Sequence, residues 1–542
     1  MKNFKKIAII ALSAVCALSA GLLAGCGSNG SGNSSTGGDT GGGEQKKMEK
    51  VYIDSKNGND SNTGDELNKA WKTLDKLART TLYEGCTVYL SGEFKGTLSF
   101  NGSGSEDKPI TITSLNKNNP AKLDGNGNTS VIILDGQSNV KIDGLDITLT
   151  ADSFSARSGI FVTADEGIVG GIEIANCNIH DIHGTHLSAE AADNYWDSYY
   201  ACGAILFRYM QEKCDANNKF DKITVKNCKI SNVYGCGIRF HDLGKAITDE
   251  WANAYFSNVL IEDTLIDTTS ADGIILQNCY KPIVRRCKIF RVGALEPEGS
   301  PNYHCAVWGC AVESPLYEYN EVAYTKYSGG DGQAFDMDWG SKGTAVWQYN
   351  YTHDNEGGVL LRHEDFKGIY RFNISVNDGK NSVGRSLIFH SSTGTGSKEN
   401  LYVYNNVFYC DQSTSMRITQ GFTAYPNWGA YSVSRNVFKN NVFMFADSYV
   451  DWGENNVYEG NCYYGGEGYN VPQNDIFATS QNPLFADLSK IPSSREEAAK
   501  AFALAPDSPC IAAAKTLTDD EKFAFEGKNF AGEQKTDNIG AL

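Results

Sequence analysis

A short phrase recurs along most of the chain: an Asn beside a small or aromatic residue, followed within three places by a β-forming residue. It stands as Asn176-Cys177-Asn178-Ile179 and Asn227-Cys228-Lys229-Ile230, and with Arg in place of Asn as Arg286-Cys287-Lys288-Ile289. It returns at Tyr319-Asn320, Tyr349-Asn350, Phe372-Asn373, Tyr404-Asn405-Asn406, Lys439-Asn440-Asn441 and Gly460-Asn461. The tightest spacings are 23 residues (Asn350 to Asn373) and 21 (Asn440 to Asn461). A period of that size with short β-rich runs and Asn, Asp and Gly between them is one coil of a β-solenoid. Leucine-rich repeats share the length but need Leu at fixed positions and a helical segment. A propeller blade needs four strands per ~40 residues. An Asn at each turn can bond its counterpart one coil away and build an internal ladder. Cys177, Cys228 and Cys287 then read as stacked small hydrophobes rather than disulfide partners.

A second set of runs follows the phrases: Gly237–His241, Gly273–Gln277, Ala306–Trp308, Ala334–Asp338, Val359–His363 and Ser386–His390. These read as strands of one parallel sheet whose side chains alternate inward and outward. The outward set comprises Arg239, His241, Gln277, Trp308, Asp336, Asp338 and His390. It is polar and aromatic, as a groove is.

The N-terminus reads as a processing segment. Lys2, Lys5 and Lys6 precede a mostly apolar run of 17 residues, Ile7 to Leu23, which ends Leu22-Leu23-Ala24-Gly25-Cys26. The run is at the short limit for a membrane span, and the small residues before Cys26 make a lipobox-like cleavage site. The expected domains are a signal peptide (1–25), a lipidated Cys26 with a flexible linker (26–47) and a β-helix domain (48–542). A linker so rich in Gly, Ser, Asn and Thr reaches roughly 25–30 Å. The expected location is outside the cytoplasm on a bacterial membrane, the chain being a monomer held by its lipid. With 48 basic against 65 acidic residues the net charge is −17, and loss of the three leader lysines takes it to −20. That excludes a nucleic-acid partner, which selects basic surfaces. It leaves a neutral polysaccharide, or an acidic one bridged by a cation. Of 15 cysteines, 13 lie beyond Cys26, and no CxxC zinc motif occurs among them.

Both ends of the remaining chain carry recognisable phrases. Tyr52-Ile53-Asp54, Gly58–Gly64, Trp71–Leu74 and Thr87–Leu90 at one end, with Phe502–Cys510 and Asp537–Ala541 at the other, resemble carbohydrate-active right-handed parallel β-helix proteins of the pectate-lyase-like superfamily. The segments Gly330–Gly340 and Tyr349–Gly358 are similar to the centre of β-helical glycoside hydrolases with xylanase, α-L-fucosidase and β-xylosidase activities. The resemblance implies an all-β right-handed parallel β-helix of ten or more coils with loop insertions. It also implies an Asp/Glu pair acting on xylan-type polysaccharide or its side-chain sugars, with no cofactor.

Glycoside hydrolysis needs one carboxyl to protonate the leaving oxygen and a second to attack or to activate water. Asp336 and Asp338, two apart on a strand, share a face with Cα atoms about 6.6–7 Å apart. Glu356 follows Asp336 by 20 residues and Asp378 follows Glu356 by 22, which one coil per step would stack over the groove. The expected roles are Glu356 as acid/base, Asp336 or Asp338 as nucleophile or base, and Asp378 as a third candidate. Arg362 and His363 would orient substrate oxygens, and Trp308 or Trp339 would stack on a sugar. Asp331 and Asp354 read as turn caps. His180, His183 and His186 lie in a turn without a metal-binding pattern, and His241, His304 and His390 read as groove liners. Two insertions, 184–200 with Tyr195, Trp196, Tyr199 and Tyr200, and 411–430 with Phe422, Tyr425 and Trp428, either wall the groove or stiffen the helix. Two alternatives stand beside this reading. A calcium-dependent polysaccharide lyase would hold Ca²⁺ on Asp336 and Asp338 with a base such as Arg362; a surface glycan-binding solenoid would need no carboxylate pair.

Overall fold

Short β-branched runs cannot reverse in a tight hairpin and still pair in parallel, so the chain must travel around a coil before each strand meets its counterpart. A computed structural model describes residues 47–542 except 154, 186–201, 211–214, 242–254, 297–303, 328–330, 339, 363–365, 380–385, 391–399, 413–415, 422–435, 448 and 454–455. The lipobox-like Cys26, Trp339, His363 and both aromatic-rich insertions lie outside the described residues, apart from a few flanking positions. Three parallel sheets of 15, 13 and 10 strands run through residues 50–465 of the unit Glu49–Leu542. The first extends from Lys50–Asp54 to Val457–Glu459, the second from Glu93–Lys95 to Cys462–Gly465, the third from Ser130–Asp135 to Arg417–Gly421. This is a right-handed parallel β-helix, the hand that parallel crossovers adopt.

The corner between the first and second sheets explains the recurring phrase. One residue takes the left-handed conformation: Asn176 (φ 54°), Asn227, Arg286, Tyr319, Tyr349, Phe372, Asn405 and Asn440 (φ 56°). The residue after it points inward. From Asn320 on, that residue is a buried Asn whose backbone N–H donates to the amide oxygen of the next coil's Asn. The bonds run Asn320 to Asn350 (3.0 Å), to Asn373 (2.8 Å), to Asn406 (2.8 Å), to Asn441 (3.0 Å) and to Asn461 (2.8 Å). Asp475 ends the ladder by accepting from Asn461 N at 3.0 Å. Upstream the same place holds Cys177, Cys228, Thr264 and Cys287, and Cys287 N donates to Asn320 Oδ1 (3.0 Å). The phrase therefore changes phase: Asn176 and Asn227 are the left-handed residues, whereas Asn320 to Asn461 are the ladder. The twelve described cysteines are buried or half-buried thiols.

Left-handed backbone is unfavourable for bulky residues, and at Tyr319, Tyr349 and Phe372 packing offsets the cost. Tyr319 stacks on Tyr349 at 4.8 Å and Phe372 on Phe525 of the C-terminal segment at 5.2 Å. Fully buried Arg371 fastens that segment, donating to the Phe523 and Ala524 carbonyls while holding Gln348 and Tyr404.

Asn406 both accepts from Asn373 N and Nδ2 and donates to the Tyr370 carbonyl (2.9 Å). Replacing it with Ala strands buried donors on the coil before it, so Asn406→Ala is expected to lower stability by about 2–3 kcal/mol. A urea or thermal unfolding midpoint unchanged from the parent would contradict this role.

Candidate active site

The outer face of the third sheet is defined by its glycines. A Cβ at Gly273 would lie 2.6 Å from Ile289 Cγ2, and one at Gly309 would lie 2.9 Å from Met337 Sδ and 3.2 Å from the Tyr317 hydroxyl. Gly273 thus meets the core at the strand start, and Gly309, aligned with Leu276 and Met337, meets it within the strands, so the alternate row Ile275–Trp308–Asp336 faces out. Arg239 precedes Ile275 in that row. A neighbouring outward row comes from the strand starts: Asp272, Cys305 and Gln333, whose backbones are bridged by Gly273 N to Cys305 O and Ala306 N to Gln333 O.

These rows bring charged groups together with little water. Asp272, Cys305, Gln333, Asp336, Asp338 and Arg239 are each 5% exposed or less. Donor atoms of Cys305, Asp331 and Asp336 all lie within 4.8 Å of one another. Asp272 Oδ1 accepts from Cys305 N (2.9 Å), Arg239 donates to Gln277 Oε1 (2.7 Å), and the Trp308 indole N–H donates to Asp338 Oδ2 (2.8 Å). Burial, then the charges of Asp338, Asp331 and Asp272, holds the Asp336 carboxyl well above the usual carboxylate range. Burial likewise pushes Asp272 up to about 7, against the hydrogen bond from Cys305 N and the charge of Arg239. His304, fully buried, falls to about 3, and His241 is held well below its ordinary value by burial and by Arg239 and Arg208. Both imidazoles are neutral at pH 7.

Several expected residues meet here: Asp336, Asp338, Trp308, Arg239 and Gln277, with His241 at the end of its strand. Others do not. Glu356 was placed one coil above Asp336, but the coil here is 25 residues long and the partner of Asp336 is Leu361. Glu356 sits in the turn before that strand, where its carboxylate accepts from Lys326 Nζ (3.0 Å) and Tyr327 N (2.8 Å). Asp378 is buried at a corner, accepting from the Thr352 and Ser375 hydroxyls and from Asn355 N and Nδ2. Burial outweighs those bonds and raises it to about 6; it is an internal ladder residue and not a groove acid. Arg362 aligns with inward-facing Met337, donates to the Phe366 carbonyl and lies over the Phe366 ring, so its guanidinium serves the loop and not the groove. His390 aligns with Arg362, its side chain lying outside the described residues. His180 bonds Asp146 and Asp181, and His183 the Ala151 carbonyl, on other faces.

Four residues of the cluster escaped the sequence: Asp272, Cys305, Gln333 and Asp331, the last read as a turn cap. The phrase Asp272-Gly273-Ile274 aligned on Gln333-Ala334-Phe335 would have found the second outward row.

The fold is that of carbohydrate-active parallel β-helix proteins, here with a buried cluster of carboxyls on one outer face. No protein-family model matches the chain. It is similar to the lacto-N-biosidase of Bifidobacterium longum subsp. longum, 24% identical over 586 aligned positions that cover 91% of this chain and 34% of that protein. The chain thus spans about a third of that relative's length. Two crystal structures of the GH136 lacto-N-biosidase from Eubacterium ramulus superpose on it. The selenomethionine derivative gives a TM-score of 0.55 at 20% identity, covering 69% of this chain and 65% of that one. The native protein gives 0.53 at 18%, covering 72% and 67%.

The raised Asp272 has a thermodynamic signature. A carboxyl whose folded pKa (about 7) exceeds its unfolded value (3.8) favours the folded state fully below pH ~4 and loses that contribution as pH rises through 7. Asp272→Asn removes the titration, so the variant's stability relative to the parent should improve by up to about 4 kcal/mol between pH 4 and pH 8. Unfolding midpoints of both proteins at the two pH values check it; a pH-independent difference would contradict it.

Proposed function

We propose that this chain is a glycoside hydrolase whose groove on the third sheet releases a lacto-N-biose-type disaccharide from an oligosaccharide. The observation that carries the reading is the cluster Asp331–Asp336–Asp338, in which burial and the charges of its neighbours hold the Asp336 carboxyl well above the usual carboxylate range. Asp336 is the proton holder and so the acid. Asp331 and Asp338 flank it, and the Trp308 indole N–H donates to Asp338. Carboxyl oxygens less than 4.8 Å apart leave little room for an attacking water, which favours a covalent intermediate and retention at the anomeric carbon. Arg239, tethered by Gln277, is the cation facing the groove. Support for the substrate comes from the names of the relatives, which point to lacto-N-biose rather than to a xylan-type polymer. The calcium-lyase alternative named Arg362 as an example of its base, and that residue donates to the Phe366 carbonyl.

The same reading has Cys26 lipidated and the domain held outside the cell by residues 27–47, acting as a monomer. Incorporation of labelled palmitate that persists in Cys26→Ser would refute the anchor.

Two measurements test the activity. Incubating the protein with an aryl β-lacto-N-bioside and with xylo-oligosaccharides, with and without chelator, should give chelator-insensitive release from the first alone. Unsaturated, chelator-sensitive products would establish the lyase, and binding without turnover the glycan-binding solenoid. Asp336→Asn and the Asn variants at 331 and 338 should each lower kcat, the two essential carboxyls by about 10³-fold or more. Azide should rescue the nucleophile variant alone. Because Asp336 must carry its proton, kcat should fall as pH rises through the Asp336 pKa; Glu356→Gln should leave kcat within a few-fold of the parent.

A further inference from the structure

We infer that the groove contains a binding site for a soft divalent metal of the zinc class, formed by Cys305, Asp331, Asp336 and Gln333, and that this metal shuts the groove. The donor set is one thiol sulfur, two carboxylates and one amide oxygen. Sulfur and both carboxylates have donor atoms within 4.8 Å of one another. Gln333 Oε1 lies 3.5 Å from Cys305 Sγ. Tetrahedral zinc with bonds of ~2.3 Å to sulfur and ~2.0–2.1 Å to oxygen has an S···O edge of roughly 3.5 Å. The fourth ligand therefore already stands at coordination distance from the first.

Further observations point to a cation. Asp336 Oδ1 is buried and has no hydrogen-bond partner among the described residues, although the residue is only 4% exposed. A buried carboxylate oxygen left so costs free energy that a ligand would recover. The cluster also sets the charges of Asp336, Asp331 and Asp272 against Cys305 and that of Asp338 against Asp336, while Arg239 offsets Asp272. A divalent ion bound there would offset that excess of negative charge. Thiolate selects zinc-class ions over the hard Ca²⁺, which takes six to eight oxygens. Asp272 supports the site from one coil away by accepting from Cys305 N at 2.9 Å, which fixes the backbone that carries the thiol.

Binding is a proton exchange with no redox change. The metal ion forms bonds to Cys305 Sγ and to the Asp331 and Asp336 carboxylates, and the thiol proton and the Asp336 proton leave to solvent. Because a thiolate binds the metal, apparent affinity rises with pH. Because the metal takes two of the groups proposed for hydrolysis, it acts as a reversible inhibitor of that reaction. This second statement rests on the hydrolase reading; the binding itself does not.

The probe is Cd²⁺ added to the full chain, read by the ultraviolet thiolate-to-cadmium charge-transfer band, with Zn²⁺ competing it away. The expected result is one equivalent bound with a thiolate band in the parent. In Cys305→Ala the band should be lost and binding weakened at least about 100-fold, with the thermal midpoint of the metal-free variant confirming that it folds. Gln333→Leu, which keeps the thiol, should weaken binding about 10-fold or more. Absence of a thiolate band in the parent, or a band of equal size in Cys305→Ala, would overturn the site. If the parent hydrolyses the aryl bioside, Zn²⁺ should abolish turnover and chelator should restore it. Turnover insensitive to bound Zn²⁺ would overturn the inhibitory role and leave the site. A protein that binds Cd²⁺ through Cys305 yet hydrolyses nothing would refute the hydrolase reading and not the metal site.

Discussion

A solenoid has no central core around which elements condense; each coil is held by its two neighbours. What keeps the coils of this protein in register is the amide ladder at the corner between the first and second sheets. An Asn side chain there offers one acceptor and two donors: the oxygen accepts from the previous coil's backbone N–H, and the amide N–H groups donate to the previous coil's carbonyl and the next coil's Asn oxygen. Six successive Asn from Asn320 to Asn461, closed by Asp475, bond this corner together from the coil that carries Asp336 onward. A one-residue slip at any coil would unpair buried amides above and below, so register is specified far more strongly than by strand pairing alone.

The chemistry of the groove follows from that register. Asp336 stands against Trp308 because their strands pair residue for residue, and Asp272, Cys305 and Gln333 align because their corners do. Carboxyls from two coils, with the Cys305 thiol of the coil between them, thereby crowd into a buried volume, and crowding under burial is what holds a proton on Asp336. The same crowding makes the site costly for the empty protein. It is the familiar trade in which a functional cluster is stabilised by the scaffold around it rather than by its own contacts.

The left-handed aromatics show a similar division of labour. Tyr349 and Phe372 accept unfavourable backbone so that the following Asn points inward, and the C-terminal segment then covers their rings through Phe525 and Arg371. The segment beyond residue 515 is thus part of the helix's stability and not an appendage.

Fold class was legible in the sequence because a solenoid repeats locally. Each coil writes its own Asn, its left-handed turn and its β-branched runs, and none of this requires knowledge of distant residues. The alternation along Ala334–Asp338 was legible for the same reason, so Asp336, Asp338 and Trp308 were found. Which coil lies over which was not. Counting 20 residues from Asp336 reached Glu356, but turn length varies from coil to coil, and only the hydrogen-bonded register shows that Leu361 is the partner. Nor could alternation reveal that Asp378 points into a corner or Arg362 toward the loop at Phe366, since both depend on bends between strands. Asp331 passed for a turn cap because its neighbour in space, Cys305, lies 26 residues away in the chain. Sequence alone determined the periodic element; tertiary structure decided which charges share a face, because coil-to-coil distance is set by pairing and not by chain length.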